Sequence, residues 1–252
     1  MLNWKDRIRA AGIHLGLSLG VAALAGALVF GLWYRYPYRE ISGGRELFLI
    51  VMAVDVAIGP LITLAVFNRA KPASELRRDL GMVALLQLAA LGYGLWTVMV
   101  ARPVHLVFEF NRFRVVHAIE VPAAQIDKTP PGIDALPLFG PTLLSLRPFK
   151  SPQEETDATL AALQGAPLSA RPELWQTYEA GRADVLKAAR AGSDLLKRFP
   201  AQSATIDTAV AATGRKPDGV VYLPLVGRKN AWTVFLDPAT AQVLSFARLD
   251  SF

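Results

Sequence analysis

Cysteine is absent from this chain, and histidine occurs only as His14, His105 and His117. Without cysteine the chain can form neither disulfides nor thiolate metal sites. The sequence also lacks a glycine-rich phosphate loop, a nucleophile elbow and a zinc-protease motif. His105 and His117 lie in one segment, but two histidines without a nearby acid or cysteine are more often cross-strand neighbours than metal ligands. We therefore expect no enzymatic activity, no metal and no cofactor.

The excess of basic residues is unevenly distributed. Lys and Arg outnumber Asp and Glu by four before Arg102 and by two from Arg102 onward. No basic patch with interleaved aromatic residues stands out. Most of the excess is therefore a signal of membrane topology, and we expect no nucleic-acid partner.

Long apolar runs are abundant. Hydrophobic residues make up 52% of the chain, and the mean hydropathy is +0.31. Three runs, at residues 13–34, 47–67 and 81–101, each approach the ~20 residues that a helix needs to cross a bilayer. Residues 1–101 are therefore predicted to form a three-helix transmembrane bundle in contact with membrane lipid. Residues 102–252 have an ordinary soluble composition and should form a second domain.

The first apolar run could also be read as a cleaved secretory signal, because Lys5, Arg7 and Arg9 precede it. The run is longer than a typical signal core, and it ends in aromatic residues that suit a retained helix at the membrane interface. The first apolar run is therefore expected to stay in the protein as a transmembrane helix.

The positions of Lys and Arg predict the orientation. Seven basic residues lie in the segment before the first span and the loop after the second span taken together, and the loop after the first span carries only Arg35, Arg39 and Arg45. Since basic residues are retained on the cytoplasmic side, the N-terminus should be cytoplasmic. With three spans, residues 102–252 should then lie in the periplasm of a bacterium, anchored in its inner membrane.

Asp55 is the only acidic residue inside a predicted span. A carboxylate in hydrocarbon is costly, so it should face protein or water and should have a partner. Counting from the predicted outer helix ends places Tyr93 level with Asp55, where its hydroxyl could donate to the carboxylate. A second, deeper polar layer would hold Ser18, Thr63 and Gln87. Two roles stay open for Asp55: a binding or proton-coupled site, or a buried acid that fixes helix packing.

Gly59 and Pro60 follow Asp55 within two turns. Proline lacks an amide proton and crowds the carbonyl four residues earlier, so a bend is expected beside the acid. Such a bend could form a docking notch or could serve helix packing alone.

The first span carries Gly12, Gly16 and Gly20, one every four residues, which places them on one helix face. Small residues at this spacing let a second membrane helix approach closely. The glycine stripe, as we call these three residues, could serve the internal bundle, a second copy of the chain in a homo-oligomer, or the helix of another protein.

The segment after Arg102 is predicted to be an α+β domain with an antiparallel sheet built from both of its ends. Residues 104–110 and 114–120 resemble a hairpin, and residues 219–226, 231–236 and 242–248 alternate like strands. The sequence Asp-Pro-Ala-Thr at residues 237–240, between the last two of these strands, predicts a tight turn. The proline-rich residues 121–152 are expected to be an irregular loop. Helices are expected at residues 154–163, 172–191 and 201–213.

Two stretches of the membrane segment resemble a known family. They are YPYREISGGRELFLIVMAVDVAIGPLITLAVFN, residues 36–68, and LRRDLGMVALLQLAALGYGLWTVMVARPVHLVFEFNRF, residues 76–113. Both resemble the TfpX/TfpZ group of type IV pilin accessory proteins. The shared features include the sequence GGRE before the second span, Asp55 with Gly59 and Pro60 within it, and the sequence ARP after the third.

This resemblance implies an inner-membrane accessory protein for type IV pilus assembly, acting as a chaperone-like factor for its cognate pilin. It brings no catalytic residues. A prepilin-peptidase-like enzyme is the nearest catalytic alternative, but intramembrane aspartyl chemistry needs two carboxylates and the spans hold only Asp55. The other alternative is a membrane-anchored periplasmic sensor or transport-associated protein, although the cytoplasmic segments are too short for an output domain.

Overall fold

The chain divides into two compact units in a computed structural model that describes residues 4–252. Unit 1 comprises the residues up to Arg39 together with Gly43–Ala101. Unit 2 comprises Arg102–Phe252 and the short segment Glu40–Ser42.

Three long apolar helices form unit 1. They are α1 (Trp4–Leu28), which continues as a π-helical turn over Val29–Trp33, α3 (Gly44–Val66) and α4 (Ala73–Val100). The four-residue helix α2 (Tyr38–Ile41) follows α1. Each long helix has the length and composition to cross a membrane, which confirms the prediction of three such helices.

The helices begin earlier than the apolar runs that predicted them. The charged residues near the start of α1 and of α4 are already helical. A helix is held by backbone hydrogen bonds, so it extends through polar turns beyond the hydrocarbon. The apolar run marks only the part that suits lipid.

Helix α3 packs against both α1 and α4. The buried residues of α3 recur every three or four positions and so occupy one face: Gly44, Phe48, Met52, Asp55, Gly59 and Thr63. Near the start of α3 this face joins an apolar cluster around Val29, Tyr34 and Val98. The Tyr34 hydroxyl donates to the Val98 carbonyl at 3.2 Å, which links the end of α1 to α4.

The other end of unit 1 is polar. Arg7 donates to the Leu64 carbonyl at 3.4 Å, and Arg69 pairs with Asp6 at 3.5 Å. His14 Nδ1 lies 2.5 Å from the Thr63 hydroxyl. These contacts place the beginning of α1 beside the loop between α3 and α4, so the two basic segments of the sequence lie at the same end of unit 1.

Unit 2 is built on a single sheet, which has eight strands within residues 4–252. The strands are β1 (Pro103–Glu109), β2 (Arg112–His117), β3 (Thr142–Leu146), β4 (Trp175–Thr177), β5 (Arg190–Ala191), β6 (Val221–Val226), β7 (Ala231–Leu236) and β8 (Val243–Ala247). The order across the sheet is β4-β3-β1-β2-β6-β7-β8, and β5 also pairs with β6. Both ends of the domain therefore contribute to one sheet, as predicted.

The sheet is mixed, which corrects the prediction that it is antiparallel. Strand β1 runs parallel to β3, and β2 runs parallel to β6; the other pairs are antiparallel. The β1–β2 and β6–β7–β8 hairpins were predicted from local alternation. How they join depends on long-range pairing between Phe113 and Leu225, which a local pattern does not encode.

Two other predictions for this domain are wrong. The proline-rich stretch contains strand β3 in addition to its turns. Residues 172–191 do not form one helix, because Trp175 pairs with Leu146 at the edge of the sheet. Tertiary pairing here overrides the local helical pattern.

Four helices surround the sheet: α5 (Pro152–Leu163), α6 (Arg182–Ala188), α7 (Gly192–Arg198) and α8 (Ser203–Ala211). Two buried clusters form the core. One is centred on Val107, Leu144 and Trp175, and the other on Tyr222 and Phe235. Every residue of β1 is buried, so that strand is covered on both faces.

Candidate functional site

Asp55 is 8% exposed and faces α4 from the middle of α3. Gln87 Nε2 donates to the Asp55 carbonyl at 3.1 Å and lies 3.4 Å from Asp55 Oδ1. One amide group therefore contacts both the backbone and the side chain of Asp55. Since a polar group in hydrocarbon needs a partner, this pair both satisfies the acid and joins α3 to α4.

Gly59 makes room for this pair. A Cβ atom at Gly59 would lie 1.9 Å from Gln87 Nε2, which is impossible without movement. The side chain of Gln87 therefore crosses the α3 backbone where no side chain projects. Pro60 follows at once, and α3 remains helical through it to Val66.

The prediction that Tyr93 contacts Asp55 is wrong. Tyr93 is 70% exposed, and its ring lies 5.7 Å from that of Trp96. The reason is the early start of α3 at Gly44, which puts Asp55 deeper than the apolar run indicated and brings it level with Gln87. The two predicted polar layers are accordingly rearranged: Gln87 joins Asp55, and Thr63 joins His14.

The glycine stripe faces away from the other helices. Among residues 4–252, no atom lies within 4 Å of a Cβ built on Gly12, Gly16 or Gly20, beyond the local helix itself. His14 and the buried Ser18 lie between these glycines in the sequence, and a shift of two residues points to the opposite side of a helix. Internal packing, the first of the three uses left open by the sequence, is not the use that these residues show.

His105 and His117 do not form a pair. Strand register places His105 opposite Val116 and His117 opposite Pro103. His105 is fully buried and bonds to the Thr142 hydroxyl at 2.7 Å and the Ala135 carbonyl at 3.0 Å. Burial lowers the pKa of His105 to about 4, even though the Ala135 carbonyl favours the charged form. His105 is thus a satisfied core residue.

His117 instead contacts Glu120. Its Nδ1 lies 2.9 Å from Glu120 Oε2, and the same oxygen accepts the His117 backbone N–H at 2.8 Å. The spacing from His117 to Glu120 is the only sequence signal for this contact, and the hairpin prediction, which placed both residues in one strand, obscured it. Strand β2 ends at His117, and a single helical turn brings Glu120 back.

The arrangement in unit 1 suits the association of helices. Asp55 and Gln87 bring a single carboxylate and an amide together, and an amide does not titrate. The open glycine stripe offers a smooth face that another helix could approach.

Known proteins resemble the chain along nearly all of its length. A sequence model described as Fimbrial assembly protein FimB matches residues 2–43. The fimbrial assembly protein of serogroup I from Dichelobacter nodosus is 32% identical over 246 residues, which are 97% of this chain and 95% of that protein. The serogroup E1 protein of the same species is 30% identical over the same proportions. The protein of serogroups C1 and C2 is 40% identical over 108 residues, 43% of this chain and 82% of that protein. No solved structure matches the chain significantly.

Proposed function

Because this chain belongs to the family of fimbrial assembly proteins, we propose that it is an accessory protein of type IV pilus assembly that holds its cognate pilin before polymerisation. The observation that carries the proposal is the serogroup I match, which covers 97% of the chain. That match extends through both units, so the relative has counterparts of the helices and of the sheet domain. The TfpX/TfpZ resemblance supports the finer part of the proposal, the type IV pilin as client.

We place the protein in the bacterial inner membrane with unit 2 in the periplasm. The three apolar helices support membrane insertion. The contacts of Asp6 with Arg69 and of Arg7 with Leu64 support the orientation, because they gather the two basic segments at one end of unit 1.

The proposed activity is binding rather than catalysis. A pilin waiting in a membrane with an apolar N-terminal helix needs a partner that accepts a helix without a hydrophobic driving force, since lipid is as apolar as the helix itself. Close backbone approach supplies that affinity through van der Waals contact. The glycine stripe on α1, open along Gly12, Gly16 and Gly20, is the face that we assign to this contact.

Crosslinking in cells tests the assignment. With a photo-crosslinking amino acid at Leu19, which is exposed beside the stripe, the wild-type background should give a crosslink to pilin. Gly16→Leu should reduce that crosslink several-fold, because the new side chain pushes the partner helix away. Gly92→Leu is the matched control: Gly92 is equally open but lies on α4, so crosslinking should be unchanged.

Protein abundance and protease resistance of unit 2 establish that each variant is folded. A crosslink that persists at full strength in folded Gly16→Leu would contradict the role of the stripe. Unit 2 would then become the place to look for pilin contact, by repeating the experiment with that unit removed.

A further inference from the structure

A cavity of about 210 Å³ opens in unit 2 at the ends of β2 and β6. Its lining includes Arg114, His117, Ile119, Glu120 and Arg228. A cavity needs only about 10–15 Å³ of such volume to hold one water molecule, so this one can hold a compact oxyanion together with solvent.

Glu120, the acidic residue of the lining, already accepts hydrogen bonds from its neighbours in the cavity. Glu120 accepts from the backbone and side chain of His117 through Oε2, and from Arg114 Nη2 through Oε1 at 3.2 Å. Burial alone would raise the pKa of Glu120, but its bonds to His117 and the nearby Arg114 outweigh burial and lower the pKa to about 2. Glu120 is therefore a carboxylate at neutral pH, neutralised by Arg114.

Two buried side-chain nitrogen atoms of the lining lack a hydrogen-bond partner among the described residues. The side chain of His117 is only 7% exposed, and its Nε2 has no hydrogen-bond partner among the described residues. Arg114 Nε is buried and lacks a partner in the same part of the chain. A buried polar atom without a partner is costly, so these atoms indicate a group that the folded protein would bind. Arg228, on the loop after β6, adds a second guanidinium to the lining.

The tautomer of His117 follows from Glu120. An ionised carboxylate only accepts hydrogen bonds, so Nδ1 must carry the proton that joins the two residues. Nε2 then either accepts a hydroxyl hydrogen or, in the charged ring, donates its own proton. A phosphate group satisfies both cases, because it carries P–OH as well as unprotonated oxygens, and guanidinium groups match its geometry.

We propose that this cavity binds a phosphate group, held by Arg114, His117 and Arg228, and carried by a membrane lipid or free in solution. Ile119 is 70% exposed in the lining, which adds an apolar surface next to the cationic groups. Pro103, the register partner of His117, lies three residues after Val100, the last residue of α4. This site is separate from the glycine stripe and does not depend on pilin binding.

The test uses the purified full chain in detergent micelles. Inorganic phosphate is titrated by calorimetry, and phosphatidylglycerol and phosphatidylcholine are compared by counting bound lipids in native mass spectrometry. Arg228→Ala and His117→Gln should each weaken binding of the probe that the wild type binds most tightly by about tenfold. A change of this size is expected for the loss of one charge-assisted hydrogen bond. Lys229→Ala is the control, because Lys229 is an exposed neighbour outside the cavity lining.

The outcomes separate the two sources of phosphate. Tight binding of inorganic phosphate that is unchanged by Ile119→Ser supports a phosphate that is free in solution. Retention of phosphatidylglycerol over phosphatidylcholine, weakened by Ile119→Ser as well as by Arg228→Ala, supports a lipid headgroup. The proposal is overturned if the wild type binds none of the probes, or if Arg228→Ala binds as well as the wild type. Because the Arg228 side chain is exposed, that variant remains decisive even if His117→Gln does not fold.

Discussion

At the scale of single residues, Gly59 shows how one missing side chain fixes the contact between two membrane helices. The amide of Gln87 occupies the space that a Cβ at this position would take. From there it reaches both the carbonyl and the carboxylate of Asp55. The glycine therefore leaves the space that the amide occupies, and the amide bonds to the acid across α3 and α4.

Gly59→Ala should consequently destabilise unit 1 by about 1–3 kcal/mol, the usual cost of forcing an extra carbon into a packed site. In a Gln87→Ala background the same substitution should cost much less, because the clashing amide is gone. Thermal unfolding in micelles, analysed as a double-mutant cycle, measures the difference. Gly92→Ala, with open space at its Cβ position, serves as the control and should be nearly neutral. Equal costs of Gly59→Ala in both backgrounds would disprove the clash.

At the scale of elements, the turn between β7 and β8 is held by Asp237. Its Oδ1 accepts the backbone N–H groups of Ala239 and Thr240, both at 2.8 Å, and its other oxygen pairs with Arg215. These backbone hydrogen bonds, assisted by Arg215, lower the pKa of Asp237 to about 2 even though burial opposes them. The tight turn predicted from the sequence Asp-Pro-Ala-Thr is thereby confirmed.

A carboxylate with a lowered pKa stabilises the fold above its unfolded pKa, and this stabilisation is lost as the pH falls from about 4 to about 2. Asp237→Asn should therefore unfold at a lower temperature than wild type at pH 7, and the two should converge near pH 2. Circular dichroism melts across this pH range measure the convergence. Asp218→Asn, an exposed acid, should follow the wild-type curve throughout. A constant gap between Asp237→Asn and wild type at all pH values would contradict the charge-based explanation.

The elements that the sequence predicted well are those whose signals are local. The three apolar runs, the β1–β2 hairpin and the Asp237 turn depend on residues close together in the chain. Strands β3 and β4 were missed because each becomes a strand only by pairing with a distant partner, as Trp175 does with Leu146. Within the candidate site, Asp55 and Gly59 could be singled out by residue type, but Gln87 required the true helix ends.

At the scale of the whole molecule, the orientation in the membrane decides which compartment each unit can serve. Basic residues lie at the beginning of α1 and in the loop that contains Lys71, and the contact of Asp6 with Arg69 brings these segments together. If they face the cytoplasm, the chain after α4 must emerge on the other side.

Reporter fusions test this orientation. A reporter active only in the periplasm should work after Phe252 and fail when inserted at Lys71. A reporter active only in the cytoplasm provides the reciprocal control and should give the opposite result at both positions. Activity of the periplasmic reporter at Lys71 would reverse the topology and remove the basis for a periplasmic unit 2.

Unit 2 also has a discontinuous chain. Its segment Glu40–Ser42 comes from before α3, and the Arg228 backbone N–H donates to the Ile41 carbonyl at 3.0 Å. Ile41 is itself nearly fully buried. During synthesis, Ile41 is made before α3 exists, and its partner is made only when β6 has been completed. The domain therefore cannot close around Ile41 until almost the whole polypeptide has been delivered, and a fragment that begins at Arg102 would lack a piece of its own core.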